Sequence, residues 1–328
     1  MKRSLRFILF FSLIFIIAGI SGCGNQQQQQ QSTVTGIELV REGANSVKVY
    51  VNGQHFTTYA QDPTGQKPIF FPVVSSGGNM INRGWPMIEG LPDEKTDHKH
   101  HQSLWFTYGE VNGADFWGEE CGPERNGKIV TTDLEMLEKQ PGFIAHADWI
   151  MPDKSIVLKE EKKVVFLAKE NVRIMDFTIK LTAGEKEVHF DDTKEGMFGF
   201  RATPSLKDDN DGQYINSDSL IGKDQCWGKR AAWLALAGPV KDETVTVVIF
   251  THPETVNFPP YWHARGYGLT SANPFGRKAY TNGEEPALDH HIKPGESLLF
   301  KARFMVYSGE LTKSQLDQEF QQYTSAAK

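Results

Sequence analysis

The feature that most constrains the fold is a period-two alternation of apolar and polar residues along several stretches of the chain. Residues 172–181 (VRIMDFTIKL), 298–307 (LLFKARFMVY) and 143–151 (FIAHADWIM) all alternate in this way. Such alternation, in segments rich in β-branched and aromatic residues, is typical of antiparallel strands with one buried face. The sequence therefore predicts an all-β protein.

Shorter segments of similar character extend this prediction along most of the chain. They predict strands at 36–42, 46–51, 54–59, 68–74, 128–137, 155–167, 231–237 and 244–250. Asn-Gly and Asp-Gly pairs, which favour tight turns, recur between strand segments. No repeat or linker divides residues 34–328, so we expect one large antiparallel β-sandwich domain.

A short helix is predicted only near the end of the chain, at about 312–324. Thr312 and Gln315 fit a capping box, and Leu316, Phe320 and Tyr323 would form the apolar stripe of the helix.

The first residues are typical of an exported lipoprotein. Three cations, Lys2, Arg3 and Arg6, precede a 14-residue apolar stretch at 7–20, which is short for a membrane-spanning helix. The small residues that follow end in Cys23, as in a lipobox. An uncleaved anchor helix is the alternative to a cleaved signal peptide.

We therefore predict a lipoprotein signal peptide at 1–22 and a lipid on Cys23. A glutamine-rich tether would follow at 23–33. The folded part would lie in the cell envelope, as a periplasmic or outer-membrane lipoprotein. Gly24 gives no inner-membrane retention signal, and the lipid would be the protein's only contact with a membrane.

Charge and cysteine content narrow the possible partners. Loss of the signal peptide would change the net charge from −6 to −9, which argues against a nucleic-acid or anionic-lipid partner. Cys121 and Cys226 could pair in an oxidising compartment, but sequence alone does not show that they meet.

Several segments interrupt the strand pattern and combine charged residues with glycine and aromatic rings. They are RGWPM (83–87), DHKHHQSLWF (97–106), GADFWGE (113–119), DDTKEGMFGFR (191–201), CWGKRAAW (226–233) and YWHARGYGLTSANPFGR (261–277). Aromatic planes beside carboxylates, imidazoles and guanidinium groups suit a sugar, although ordinary polar loops near a core are the alternative.

The histidine segment has three possible roles. On an extended backbone His98 and His100 would face one side and His101 the other. His98 and His100 could then hold a metal ion, with a third ligand such as Asp97, Glu195 or His263. Proton transfer or hydrogen bonding to a substrate is the leading interpretation, with His100 favoured for chemistry. The structural alternative ties the histidines to Asp97 or to a backbone carbonyl.

Two further segments offer acid–base and anion-binding groups. Glu195, beside Lys194, suits a general base, and Arg201 could hold a carboxylate or a hydroxyl pair or form a salt bridge with Glu195 along the strand. His263 and Arg265 would share one face of a strand, with His263 either catalytic or a core histidine.

The cations Lys229 and Arg230 could bind an anion such as a uronate, or lie in a solvated turn. The sequence has no GxSxG, Walker A or GxGxxG motif, so serine-hydrolase, nucleotide-binding and Rossmann functions have no support.

Taken in order, these segments resemble the motifs of a bacterial family labelled PmoA, or methane-oxygenase-like, across nearly the whole mature chain. A membrane methane monooxygenase subunit needs several spanning helices, and we reject methane oxidation for this β-patterned chain. The resemblance implies a galactose-mutarotase-like supersandwich, a fold shared by aldose epimerases and by domains of glycosidases and polysaccharide lyases. Sites of that fold pair a histidine acid with a glutamate base on a concave sheet, and the transfer of that chemistry is analogy.

The leading hypothesis is a lipid-anchored carbohydrate-active enzyme, of hydrolase, lyase or epimerase type, without a cofactor. Glu195 would be the base, and His100 or His263 the acid. The predicted substrate-binding residues are His98, His101, Arg83, Trp105, Lys194, Arg201, Lys229, Arg230, Arg265 and Asn273. The alternatives are a non-catalytic glycan-binding lipoprotein and a metal-dependent hydrolase centred on His98 and His100.

Overall fold

Antiparallel strands are the main regular elements of the computed structural model, which describes residues 36–118 and 122–325. In chain order the strands are β1 (Ile37–Glu42), β2 (Ser46–Val51), β3 (Gln54–Gln61), β4 (Pro68–Val73), β5 (Leu104–Tyr108), β6 (Lys128–Met136), β7 (Gly142–Ile150), β8 (Ile156–Lys169), β9 (Val172–Ala183), β10 (Val188–Phe190), β11 (Gly196–Arg201), β12 (Gln213–Asn216), β13 (Trp233–Val240), β14 (Glu243–Thr251), β15 (Tyr261–Arg265), β16 (Leu269–Asn273), β17 (His290–Ile292) and β18 (Ser297–Ser308). The helices are α1 (Lys223–Cys226), α2 (Arg277–Tyr280) and α3 (Lys313–Ser325), with a 3-10 turn at Pro204–Leu206.

The strands form two eight-stranded antiparallel sheets and one two-stranded ribbon. The first, which we call the site sheet, has the order β1-β2-β3-β4-β5-β11-β16-β15. The second, the backing sheet, has the order β12-β13-β14-β18-β9-β8-β7-β6, and β10 pairs with β17 in the ribbon. The prediction of an all-β protein with two large antiparallel sheets and a short C-terminal helix is confirmed.

Aromatic side chains fill the space between the two sheets. Phe106 and Phe198 of the site sheet both contact Phe300 of the backing sheet, with ring centroids 5.4 and 6.0 Å apart. Trp105 directly precedes Phe106, and Gly199 directly follows Phe198. Because side chains alternate along a strand, these two residues lie on the opposite face of the site sheet. That outer face carries the candidate site.

A charged pair is buried in the sandwich on β8. Lys162 Nζ lies 2.8 Å from Glu160 Oε1, and the side chains of Glu160 and Lys162 are 0% and 2% exposed. Trp149 Nε1 donates a hydrogen bond to Glu160 Oε2, 2.9 Å away. The Lys162 ammonium also lies within 6 Å of the Tyr59 and Phe106 rings.

The C-terminal helix begins with the expected cap. Thr312 Oγ1 accepts a hydrogen bond from the Gln315 backbone N–H, and Gln315 Oε1 accepts one from the Thr312 backbone N–H. Leu316 and Tyr323 are buried against the outer face of the backing sheet, in a cluster with Trp233. The capping box and the apolar stripe are therefore confirmed.

Alternation predicted the long strands but not the inner strands of the site sheet. Every residue of β5, β11 and β16 is buried, so these strands have no exposed polar face. Their sequences lack the period of two because both faces are covered. The glycine- and aromatic-rich segments that interrupt the strand pattern contain these inner strands.

Some predictions fall outside the described residues. The signal peptide at 1–22, the lipid on Cys23, the tether at 23–33 and residue Cys121 all lie there, so the envelope location stays a prediction that fatty-acid labelling at Cys23 would test. Cys226 is described: its thiol is buried, and burial raises its pKa to about 12. No helix within residues 36–118 and 122–325 combines the length and apolar character needed to cross a membrane.

Candidate functional site

Most of the polar segments meet at one open cavity of about 400 Å³ on the outer face of the site sheet. The loop before β5, the loop after β5, the turn before β11, and β15 with its turn into β16 supply the wall. The lining residues are His98, His100, His101, Asp115, Trp117, Gly118, Lys194, Glu195, His263, Arg265 and Tyr267. Seven of the predicted site residues therefore converge, although they lie far apart in the sequence.

The three histidines before β5 all line this cavity. His98 has a φ of 43°, and its carbonyl accepts a hydrogen bond from the His101 N–H over 2.9 Å, so the segment is a turn. The expectation that His101 faces away from His98 and His100 is wrong, because it assumed an extended backbone. The turn instead stacks His98 on His101, with centroids 4.9 Å apart and planes 1° apart.

A stack of near-parallel rings supports these histidines. Tyr267 lies on His98 at 5.1 Å, and His101 lies on Trp105 at 5.5 Å. Trp105 is buried and does not line the cavity, so its predicted role as a stacking plane for substrate is not supported. Its indole lies across Gly199, where a Cβ would come within 2.5 Å of the ring. Gly199 thus allows the whole stack to sit close to the sheet.

Arg83 is buried beneath the histidine turn. Its guanidinium donates to Asp97 Oδ1 and to the carbonyls of Asp97 and His98, each over 2.8 Å, and to the carbonyl of His101 over 2.9 Å. The side chain is 0% exposed, so Arg83 does not reach the cavity and its predicted contact with substrate is corrected. The guanidinium lies beneath the turn because the carbonyls of the turn face Arg83, while the imidazoles of His98 and His101 line the cavity.

Arg201 is the second buried cation under the turn. It donates to His101 Nδ1 over 3.0 Å and to Asp97 Oδ1 over 3.1 Å, and its guanidinium lies 4.3 Å from the Tyr267 ring centroid. Arg201 is also 0% exposed and does not line the cavity. Its predicted contact with substrate is therefore corrected to a role in positioning His101. The salt bridge with Glu195 that was the alternative is replaced by the pair with Asp97.

Hydrogen bonds fix the protonation of two imidazoles. Arg201 donates to His101 Nδ1, so the proton of neutral His101 is on Nε2. His263 Nδ1 donates to the Lys194 carbonyl over 3.1 Å, while its Nε2 accepts from Arg265 Nε over 3.0 Å. Burial, reinforced by neighbouring cations, holds the pKa of both histidines well below the usual value. Both rings are therefore neutral.

Glu195 enters the cavity from the turn before β11. Its carboxylate forms an ion pair with Lys194, and Oε2 lies 3.8 Å from His263 Nδ1. The carbonyl of Glu195 accepts a hydrogen bond from the Gly109 N–H over 2.7 Å. Gly109 must be glycine, because a Cβ there would come within 2.9 Å of the Glu195 Cβ.

Asn273 supports the same turn and does not touch the cavity. The side chain is buried, donates to the Thr193 carbonyl over 2.8 Å and accepts the Phe275 N–H over 2.9 Å. The Tyr280 hydroxyl holds the Lys194 carbonyl in the same way, over 2.8 Å. The predicted substrate contact of Asn273 is therefore corrected to a positioning role.

Lys229 and Arg230 lie elsewhere. Lys229 is exposed and does not line the cavity. Arg230 pairs with Tyr261 in an isolated bridge, and its guanidinium donates to the carbonyls of Pro259 and Asn257. Neither Lys229 nor Arg230 lines the histidine cavity, because the bridge between Arg230 and Tyr261 directs both cations away from it. Their predicted contact with substrate is therefore corrected.

Sequence reasoning named the segments but not all of their functional positions. Asp115, Trp117, Gly118 and Tyr267 line the cavity, and they occur in GADFWGE and YWHARGYG. Asp115 Oδ1 accepts the Trp117 and Gly118 N–H groups over 2.7 and 3.1 Å, which fixes the loop. Within the described chain, three buried ring nitrogens of cavity-lining side chains, His98 Nδ1, His101 Nε2 and Trp117 Nε1, have no hydrogen-bond partner. Such groups are usually paired, so a polar ligand is a natural partner.

The histidines of the cavity do not form a metal site with the described residues. The His98 and His100 rings are perpendicular with centroids 5.9 Å apart, and no third described His, Cys, Asp or Glu brings its ligand atom within 4.8 Å of both. The described residues that do form such a group are His189, Asp191 and Asp289, near the β10–β17 ribbon. The metal-dependent hydrolase hypothesis thus gains no support from this geometry.

A pH effect on stability follows from His100. Burial lowers the pKa of His100 to about 3, whereas the pKa of histidine in an unfolded chain is about 6.5. Below that pH the unfolded chain takes up a proton that the folded protein refuses, so the free energy of unfolding falls as the pH falls. We expect this group to contribute a loss of about 1.4 kcal/mol between pH 7.5 and 5.5.

Urea unfolding at the two pH values measures this contribution. His100→Asn should reduce the pH-dependent loss by about 1.4 kcal/mol relative to the parent. An equal loss in His100→Asn and the parent would show that His100 is protonated in the folded protein.

Sequence comparison places the chain in a family. The family described as "Family of unknown function (DUF6807)" matches residues 46–321, which covers the site sheet from β2 onward, the cavity and most of α3. The chain belongs to DUF6807. The label PmoA, suggested by the resemblance of the motifs, receives no support from this match. Among curated proteins, none matches the sequence.

Solved structures similar to this DUF6807 member share little sequence with it. A galactose mutarotase-like protein from Clostridium acetobutylicum is 10% identical, with 84% of this chain and 99% of that chain covered and a TM-score of 0.40. A galactose mutarotase related enzyme from Lactobacillus acidophilus is 14% identical, with 84% and 100% covered and a TM-score of 0.30.

The galactosidase domain of the α-galactosidase–sucrose kinase AgaSK is 9% identical, with a TM-score of 0.43. Its alignment covers 83% of this chain but spans only 42% of that chain. The names of the Clostridium and Lactobacillus proteins both include galactose mutarotase, which is the fold relative that the motif resemblance implied. All three TM-scores lie below 0.5, so the likenesses carry no argument about what the DUF6807 member binds or does.

Proposed function

We propose that the cavity binds a carbohydrate and that Glu195 acts there as a general base. The observation that carries this proposal is the convergence of Glu195, four histidines and Arg265 on one cavity of about 400 Å³. That volume is within the range of about 300–1,000 Å³ that is usual for small-molecule sites. Neutral imidazoles can donate or accept hydrogen bonds, which suits a ligand with many hydroxyl groups.

Glu195 is the group best placed to remove a proton. Its side chain is 28% exposed, so it reaches both the cavity and the protein that holds it. The hydrogen bond from Gly109 fixes its backbone, and Lys194 pairs with its carboxylate. A fixed, ion-paired carboxylate at the wall of a cavity is suited to act as a base on a sugar carbon or hydroxyl.

His98 is the best candidate for the acid. Its side chain is 39% exposed, so the imidazole reaches the cavity, and its Nδ1 lies 3.5 Å from Asp97 Oδ1. His263, one of the two acids that the sequence suggested, has both ring nitrogens engaged by Lys194 and Arg265. His100, the other, stays neutral above pH 3 or so, which suits it to hydrogen bonding.

One observation favours the second candidate, a glycan-binding protein without catalysis. His101 and His263 each accept a hydrogen bond from an arginine, and both are buried. An imidazole held in that way binds and orients a ligand, but it does not exchange protons readily. The experiment that tests the enzyme therefore includes a binding measurement.

The test uses mono-, di- and trisaccharides of glucose, galactose, mannose, xylose and galacturonic acid. Magnetic resonance follows interconversion of anomers or epimers, mass spectrometry follows cleavage, and calorimetry follows binding. We expect Glu195→Gln to lower kcat on an active sugar by about 10²–10⁴-fold, with KM changed by less than about threefold.

Glu187→Gln is the matched control, because this carboxylate is 54% exposed and pairs with His291 away from the cavity. It should retain parental turnover. A folded Glu195→Gln protein that turns over every active sugar at the parental rate would refute the role of Glu195. Saturable binding with no product after long incubation of the parent would instead establish the binding protein.

A further inference from the structure

A second cavity adjoins the histidine cavity. Its volume is about 360 Å³, and the two cavities share Arg265 and Tyr267 in their walls. The rest of the second wall comes mainly from Asp209, in the loop before β12, and from Lys223, Asp224 and Trp227, in α1 and directly after it. The histidine cavity is therefore one half of a longer depression, and Arg265 stands where the halves meet.

Arg265 is held rigidly at this junction. Its Nε donates to His263 Nε2 over 3.0 Å, and its guanidinium lies 3.9 Å from the Trp227 ring centroid. Within the described part of the chain, Nη1 and Nη2 of Arg265 make no hydrogen bond or ion pair. A planar fork that is fixed but not satisfied is ready to bind two oxygens of a ligand.

Trp227 provides the second cavity with an aromatic surface. The indole is half-buried, and its orientation is set by His263 and Tyr280, whose ring centroids lie 4.9 and 5.1 Å away. Lys223 and Asp209 form an ion pair in the wall of the same cavity, which Asp224 also lines. An aromatic ring with a charged rim matches the apolar C–H face and the hydroxyl edge of a sugar.

We propose that the two cavities are adjoining subsites of one cleft and that the ligand is an oligosaccharide of at least two units. One unit occupies the histidine cavity and the next lies against Trp227. Arg265 binds oxygens of both units at the linkage. This inference rests on the proposed carbohydrate function and adds the chain length of the ligand.

Calorimetry with the mono-, di- and trisaccharides named above tests the second subsite. In the series that binds, the disaccharide should bind about tenfold more tightly than the monosaccharide. Trp227→Ala should remove most of that gain, measured as the ratio of disaccharide to monosaccharide affinity within the variant. Asp224→Ala alters the second cavity and leaves Trp227, the ring that lies on Arg265, in place. A smaller disaccharide gain in this variant therefore does not come from a displaced Arg265.

Arg230→Ala is the matched control, because Arg230 lines a separate cavity near Pro274. It should leave the affinities for all three chain lengths unchanged. Equal affinity for mono- and disaccharides in every series that binds would overturn the two-subsite cleft while leaving the proposed function intact. If no sugar of any length binds, the proposed function itself fails, and the cleft proposal falls with it.

Discussion

Glu160→Gln is expected to lower the free energy of unfolding by about 3–5 kcal/mol. The substitution keeps the size of the side chain and an acceptor for Trp149 Nε1, but it removes the negative charge beside Lys162. Lys162 is 2% exposed and is then left as an uncompensated charge between the sheets. A buried charge without its partner is among the most destabilising changes that a single substitution makes.

Guanidinium unfolding followed by tryptophan fluorescence measures this effect. Glu161→Gln, at the exposed neighbour on the same strand, should change the free energy by less than about 0.5 kcal/mol. The double variant Glu160→Gln/Lys162→Met removes both charges and should recover most of the loss. If the double variant is as unstable as Glu160→Gln, the loss comes from packing and not from the isolated charge.

Arg83→Met is expected to destabilise the protein by about 3 kcal/mol or more and to loosen the histidine turn. Methionine replaces the length of the side chain but none of its donors. The carbonyls of Asp97, His98 and His101 then lose the guanidinium that pairs them. Each buried acceptor left unpaired costs about 1–3 kcal/mol.

Brief trypsin digestion under native conditions detects the local part of this effect. Cleavage after Lys95 or Lys99, on either side of Asp97, should become faster in Arg83→Met. Arg173→Met is the matched control, because Arg173 is also buried and bonds carbonyls of Lys169 and Val172, far from the turn. A similar cleavage pattern in the two variants would show that Arg83 stabilises the fold in general and has no special role in the turn.

The fold was predictable where one face of a strand meets water. The alternation in β9 and β18 predicted strands within two residues of their observed ends. It could not reveal β5 or β11, since the outer faces of these strands lie under the aromatic stack and the arginines. The predicted strand at 155–167 includes Glu160 and Lys162, but no sequence pattern shows that these two residues form a buried charged pair.

The site was predictable as a set of segments and less so as a set of residues. His98, Glu195, His263 and Arg265 line the cavity because each comes from a polar segment next to an inner strand. Arg201 also comes from a polar segment next to an inner strand, yet its side chain is buried. The sequence does not show this, because the three-dimensional path of the histidine turn decides which arginine the turn covers. Sequence identifies the chemistry that is available, and packing decides which groups reach a ligand.

The strand order of the site sheet has a consequence for how the protein acquires its cavity. β5 pairs with β11, and β11 pairs with β16, although long stretches of chain separate these partners. Contacts of such high contact order form slowly, because a large loop must close before any of them is made. The histidine turn lies next to β5, but Glu195 and Arg265 join it only when β11, β16 and β15 have paired with β5. Ligand binding during refolding should therefore appear only after these distant strands have paired, and it would serve as a reporter of complete assembly.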